Sequence, residues 1–149
     1  MIIYDSKYGN TKIAAQQIAE GMKEIVEMET TTIYVKEIEY KKLMDYDILV
    51  IGAPNHMGRP SQTMKKFVNN LSEHDLRATQ VAIFGTYSGK VRADRSVKKL
   101  EQMLKNKLPT LSLILPSLSI KVNGVTGPLA EGELAKCKEF GKKIAKIFI

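Results

Sequence analysis

The chain is poor in the residues that do chemistry unaided. Its 149 residues include one cysteine, Cys137, two histidines, His56 and His74, and no tryptophan. A lone cysteine excludes an internal disulfide, and so few thiols and imidazoles leave no ligand set spaced for zinc or an iron–sulfur cluster. Any redox chemistry here needs an organic cofactor. Apolar runs stay far below the ~18 residues of a membrane span, and no basic leader or signal-like stretch precedes the apolar run that starts at residue 2. Those two absences predict a soluble, cytoplasmic chain with no membrane partner. Acidic residues are scarce too: 16 Asp and Glu face 23 Lys and Arg, a formal net charge of +7.

A basic balance raises nucleic acid as a partner, because lysines and arginines that neutralise phosphates drive sequence-independent affinity. The cations are scattered over Lys36 to Lys42, Lys65-Lys66, Lys90 to Lys107 and Lys136 to Lys146, mostly where helices would face solvent, so nucleic acid is not expected. Cys137 shares a helical face with Leu134, Gly141, Ile144 and Phe148, which predicts a small buried hydrophobe and not a reactive thiol.

What the chain does have is alternation. Strand-like runs at Ile2–Tyr4, Thr31–Val35, Ile48–Gly52, Val81–Gly85 and Leu111–Leu115 are separated by segments with apolar residues at helical spacing: Ala14, Ile18, Met22 and Ile25; Met64, Phe67, Val68 and Leu71; Val97, Leu100 and Leu104; Leu134, Cys137, Ile144 and Phe148. The helix between the second and third strands is weak, a turn or two around Lys41–Met44. Three strand runs are nearly continuous apolar stretches, as expected of strands buried on both faces. The pattern predicts an α/β fold: one domain over residues 1–149, a three-layer α/β/α sandwich on a five-stranded parallel sheet of order 2-1-3-4-5. In such sheets ligands bind beyond the carboxyl ends of the strands, where the winding reverses. That points to the loops Asp5–Thr11, Ala53–Ser61 and Thr86–Arg95.

The first of these reads Ser6-Lys7-Tyr8-Gly9-Asn10-Thr11 and runs from a strand straight into a helix. Hydroxyls at Ser6 and Thr11, the amide of Asn10, a permissive Gly9 and the unpaired N–H groups of a first helical turn make an anion trap suited to phosphate. The second reads Pro54-Asn55-His56-Met57-Gly58-Arg59-Pro60-Ser61, with prolines stiffening its ends, Gly58 allowing a peptide to rotate and Ser61 placed to cap the next helix. The third, Gly85-Thr86-Tyr87-Ser88-Gly89, offers an aromatic face between glycines, suited to a flat ring.

With these residues in view the chain resembles a flavodoxin. Ser6 to Thr11 is similar to the phosphate loop S/T-x-S/T/Y-G-N-T of that family, Gly52-Ala53-Pro54 with Met57-Gly58 resembles its second flavin loop, and Gly85-Thr86-Tyr87 the start of its third. The tail from Ser119 through Asn123-Gly124 to Ile144 looks most like the flavodoxin half of diflavin A-type flavoproteins. The resemblance covers essentially the whole length and implies a flavodoxin-like fold and FMN held by Ser6 to Thr11, Pro54 to Gly58 and Gly85 to Gly89. It implies an electron carrier between redox proteins, monomeric or weakly dimeric, and a peptide at Met57-Gly58 that rotates on reduction. The indole that many flavodoxins stack on the inner flavin face is missing, so either Met57 or His56 replaces it or the inner stack is absent.

Ordinary flavodoxins are acidic; this chain puts Lys7, Arg59, Lys90, Arg92 and Arg95 in or beside the three loops. One such charge at ~7 Å and an effective dielectric of ~20–80 favours an anionic reduced flavin by about 0.5–2.5 kcal/mol. A less negative potential and an acidic partner, a ferredoxin or other iron–sulfur protein, are the expectations. The rival within the same fold is an NAD(P)H:quinone oxidoreductase, whose usual insertions this short chain lacks. A phosphorylatable receiver shares the strand order but needs an acceptor Asp where strand three ends in Gly52-Ala53-Pro54.

Overall fold

A computed structural model describes residues 1–76, 79–89 and 92–149. β1 (Ile2–Tyr4) pairs on both sides, with β2 (Thr32–Tyr34) and β3 (Ile48–Pro54), and β4 (Gln80–Tyr87) and β5 (Ser112–Lys121) complete a parallel sheet of order β2-β1-β3-β4-β5. Alternate side chains of the central strands enter two cores. Ile2, Tyr4, Val50, Ala82 and Phe84 pack against α1 (Asn10–Ile25) and α4 (Glu133–Lys146), whereas Ile3, Leu49, Ile51, Val81 and Ile83 pack against α2 (Gln62–Leu71) and α3 (Arg95–Lys107). Burial on both faces is why these strands read as unbroken apolar runs. Among the described residues, no helix is long and apolar enough to cross a membrane.

The element ends differ from the expectation where local chemistry intervenes. β2 is shorter, because Val35 already opens a 3-10 turn over Val35–Glu37, and a second 3-10 stretch, Tyr40–Asp45, replaces the weak helix expected near Lys41–Met44. β5 runs six residues past Leu115. Pro116, which cannot donate to a ladder, sits where the register slips between the pairs Ala82–Ile114 and Phe84–Leu118 on an edge strand, so pairing resumes beyond it. On α4 the buried face is Glu133, Cys137, Phe140, Gly141, Ile144 and Ala145; Leu134 and Phe148, grouped with Cys137 above, are exposed.

α1 and α4 cross so closely that only glycine fits at two points. A Cβ on Gly21 would lie 2.0 Å from the Lys138 carbonyl oxygen, and one on Gly141 would lie 2.0 Å from that of Ile18. Gly141→Ala should therefore destabilise the fold by about 1–3 kcal/mol in urea titration, although alanine is intrinsically the better helix former. A stability equal to or above the parent would show that the helices separate at no cost.

Burial pushes the Cys137 thiol up to about 12, and the neighbouring Glu133 carboxylate adds to the shift. The folded state keeps a proton that an unfolded thiol, at 9.0, gives up, so this contribution to stability is complete below pH 9.0 and is lost as pH rises towards about 12. At about pH 8 the native protein should not react with a disulfide reagent that titrates one thiol in denaturant. Rapid labelling of the native form would contradict that burial.

Candidate cofactor site

The β1–α1 connection is held open by backbone geometry and not by a capping side chain. Gly9, at φ +91°, turns the chain into α1, which has no side-chain N-cap bond and no acid in its first turn. Helical bonding begins with the Ile13 N–H on the Gly9 carbonyl at 3.0 Å, so the amides of Asn10, Thr11 and Lys12 precede the first helical partner. Ser6 Oγ accepts the Gly9 N–H at 3.1 Å and closes the loop from within, keeping its own proton free to donate outward. The buried Thr11 hydroxyl meets that of Thr86 at 2.9 Å and ties the first loop to β4. Lys7 Nζ lies 5.3 Å from the centre of the Tyr8 ring.

The second loop is a tight turn. His56 and Arg59 exchange backbone hydrogen bonds of 2.8 and 3.0 Å, and the two residues between them, Met57 at φ +51° and Gly58 at φ +81°, both adopt left-handed backbone, the signature of a type I′ turn. Asn55 Oδ1 accepts the Gly58 N–H at 2.5 Å, while the buried Asn55 Nδ2 has no partner among the described residues. Ser61 anchors the far end: its Oγ accepts the Met64 N–H at 3.1 Å as the N-cap of α2 and donates to Asp5 Oδ2 at the end of β1. One hydroxyl thus joins the first and second loops.

These pieces enclose a cleft of about 110 Å³ lined by Ser6, Lys7, Tyr8, Asn10, Thr11, Pro54, Asn55, His56, Thr86, Tyr87, Ser88, Val122 and Val125. The three loops named from the sequence meet there. Gly9, Met57, Gly58, Gly85 and Gly89 do not line it. Gly85 lies inside β4, where a Cβ would come 2.7 Å from the Val97 side chain, so its role is to admit α3. Met57 is 89% exposed and outside the cleft, so of the two replacements for an indole only His56, itself exposed, stands at the wall. Of the cations expected around the mouth, Arg92 is paired with Asp94 at 2.8 Å, and Lys90 lies outside the described residues.

A fourth wall escaped the sequence reading. Beyond β5 the chain doubles back through the Val122–Leu129 bridge, held by Val122 N–H on the Tyr87 carbonyl at 2.7 Å and Asn123 N–H on the Pro128 carbonyl at 2.8 Å. Asn10 Nδ2 fastens this flap to α1 through the Thr126 carbonyl at 3.1 Å, and Val122 and Val125 face the cleft from it. The available signal was the strand order itself, which sets the carboxyl end of β5 beside that of β4.

The family model for flavodoxins matches residues 2–136. The chain belongs to the flavodoxin family. It is 32% identical over 85 residues to a flavodoxin of Clostridium saccharobutylicum, a match covering 57% of this chain and 53% of that one. The chain spans about half the length, or less, of the curated relatives it matches. Among solved structures it is similar to oxidised flavodoxin 1 of Bacillus cereus, at a TM-score of 0.79 and 26% identity over 97% of this chain and 95% of that one. Flavodoxin 2 of the same organism, at a TM-score of 0.82 and 23% identity over 99% and 97%, shares the fold.

Flavodoxins bind FMN, and the residues present fit it. Free helix-start amides, hydroxyls and a lysine suit a phosphate, and the orphaned Asn55 Nδ2 is a buried donor awaiting an acceptor at the cleft. Because Ser61 serves as cap and as donor to Asp5, Ser61→Ala should cost about 2–3 kcal/mol in denaturant unfolding, more than a cap alone, with Ser61→Thr restoring most of it. A loss below about 0.5 kcal/mol would mean the two loops do not depend on this hydroxyl.

Proposed function

We propose that residues 1–149 form a single flavodoxin domain that holds FMN in this cleft and carries electrons between redox proteins. FMN when bound supplies the electron chemistry, and the protein supplies grip and tuning. The observation that carries the reading is the run of unsatisfied amides at Asn10, Thr11 and Lys12, opened by Gly9 and flanked by the Ser6 hydroxyl and Lys7. In this reading Ser6, Lys7, Tyr8, Asn10 and Thr11 receive the phosphate end, Gly9 shaping the turn with its N–H on Ser6 and Thr11 having its hydroxyl already committed to Thr86. Pro54, Asn55 and His56 form one wall for the ring system and Thr86, Tyr87 and Ser88 the other, with Gly89 just beyond it. The valines of the flap, Val122 and Val125, exclude water beside Tyr87.

Met57 and Gly58 act through the turn. Both residues sit at positive φ, the position where glycine alone is unstrained, so the peptide between them is the part of the bordering turn freest to reorient when the cofactor's charge changes. The hydrogen bond from Gly58 N–H to Asn55 Oδ1 couples that peptide to the side chain whose Nδ2 is unpartnered.

Titration of the cofactor-free protein distinguishes the phosphate grip from simple ring burial. Two charge-assisted hydrogen bonds correspond to about a hundredfold tighter binding of FMN than of riboflavin. Equal affinity for the two would remove the phosphate from the reading, and a protein that stays colourless with saturating FMN would remove the cofactor site altogether. Oxidation of NAD(P)H by the FMN-loaded chain with quinone and no added reductase would assign it to the enzymes of this fold instead.

A further inference from the structure

Only some of the molecule's cations have counter-ions. Lys23 pairs with Glu20, Lys42 with Glu39, Arg92 and Lys98 with Asp94, Lys136 with Glu133, and Lys138 and Lys142 with Glu24. Arg59, Lys65, Arg95 and Lys99 do not; among the described residues none of the four makes an ion pair. They are nevertheless close enough to feel one another. The Lys99 ammonium is held below the ordinary lysine value, first by partial desolvation and then by repulsion from Arg95, Arg59 and Lys65. No acid occurs between Ile48 and Ser72, and the first turn of α3 carries cations at the helix end that disfavours them. Asp94 could have relieved the cluster but binds Arg92 and Lys98 instead. A concentration of unpaired charge that costs stability and serves nothing inside the fold is arranged for something outside it.

Its position connects it to the cofactor cleft. The Arg95 side chain lies across Gly58, where a Cβ would come 2.7 Å from Arg95 Cδ, and Arg59 closes the His56–Arg59 turn that borders the cleft. Between α2 and α3, Arg59, Lys65 and Lys99 line a groove of about 310 Å³ together with the apolar Pro60 and Met103 and the hydrogen-bonding Gln102 and Asn106. An apolar centre with a charged rim is the anatomy of a protein interface. Nucleic acid would be better served by a continuous basic track with aromatic platforms, and no aromatic lines this groove.

We propose that Arg59, Lys65, Arg95 and Lys99 form the docking surface for an acidic redox protein. This rests on reading the adjacent cleft as the electron-carrying site, because docking there sets the partner's carboxylates over the turn that borders the cofactor. Carboxylates are the complement of four unpaired cations, and the two arginines can engage them in bidentate fashion.

The test uses the FMN-reconstituted protein and a fluorescently labelled acidic [2Fe–2S] ferredoxin as probe, with affinity read by anisotropy so that binding is measured whether or not electrons pass. The paired variants are Lys65→Gln with Lys99→Gln, and, as a control of equal charge, Lys105→Gln with Lys107→Gln at the other end of α3. The first pair should weaken binding about tenfold at low ionic strength and flatten its salt dependence, and the control pair less than about twofold. Equal effects of the two pairs, binding indifferent to salt, or tighter binding of a single-stranded oligonucleotide or anionic vesicles than of the ferredoxin would each overturn the proposal. FMN titration of the same variants keeps the readings apart: retained FMN with unchanged ferredoxin affinity rejects only the docking surface, whereas loss of FMN from the parent rejects the cofactor reading.

Discussion

Everything at the functional end of this molecule depends on β1 being hydrogen-bonded on both sides. Three residues, Ile2 to Tyr4, pair with β2 on one edge and β3 on the other, so the chain must wind one way to reach β2 and the opposite way to build β3 to β5. Right-handed crossovers then put α1 on one face and α2 and α3 on the other, and α4, which follows the last strand, packs beside α1. The loops leaving β1 and β3 consequently part to opposite faces, and a crevice opens between them. Asp5 and Ser61 bridge the base of that crevice, and the Thr11–Thr86 pair extends the link to β4.

The glycine contacts between α1 and α4 serve the same end. With the helix backbones in contact, α4 is seated close enough for Glu133 to accept the Lys121 N–H at 3.2 Å and fix the end of β5. The flap from Val122 to Leu129 starts from that fixed point and reaches Asn10. A packing choice at the middle of two helices is thus felt at the mouth of the cleft, and Asn10, which motif reading assigns to the ligand, also holds the protein's own fourth wall.

Charge is distributed with comparable economy. Acids on α1, on α4 and at the start of α3 neutralise lysines one turn away. The segment carrying the second loop and α2 has none. Net charge alone says that the protein is basic; the mutual repulsion of Arg59, Lys65, Arg95 and Lys99 says that a part of it is concentrated beside the turn at Met57-Gly58.

Periodicity determined most of the core, because strands buried on both faces and helices with one apolar stripe leave clear local patterns, though on α4 it put the exposed Leu134 and Phe148 on the buried face. The strand order followed from alternation and chirality. The loop Ser6 to Thr11 was legible for a similar reason, since an anion site at a helix start is made by neighbours in the chain. Only the tertiary structure decided what depends on distant residues meeting. It gave Asn10 to Thr126, Thr11 to Thr86 and Ser61 to Asp5, placed Met57 outside the cleft, carried β5 past Pro116 by a slip in register, and added the Val122 to Leu129 flap. Hydrogen bonds between residues up to 116 positions apart leave no periodic trace in the chain, and a charge cluster assembled from Arg59, Lys65, Arg95 and Lys99 exists only once two helices lie side by side.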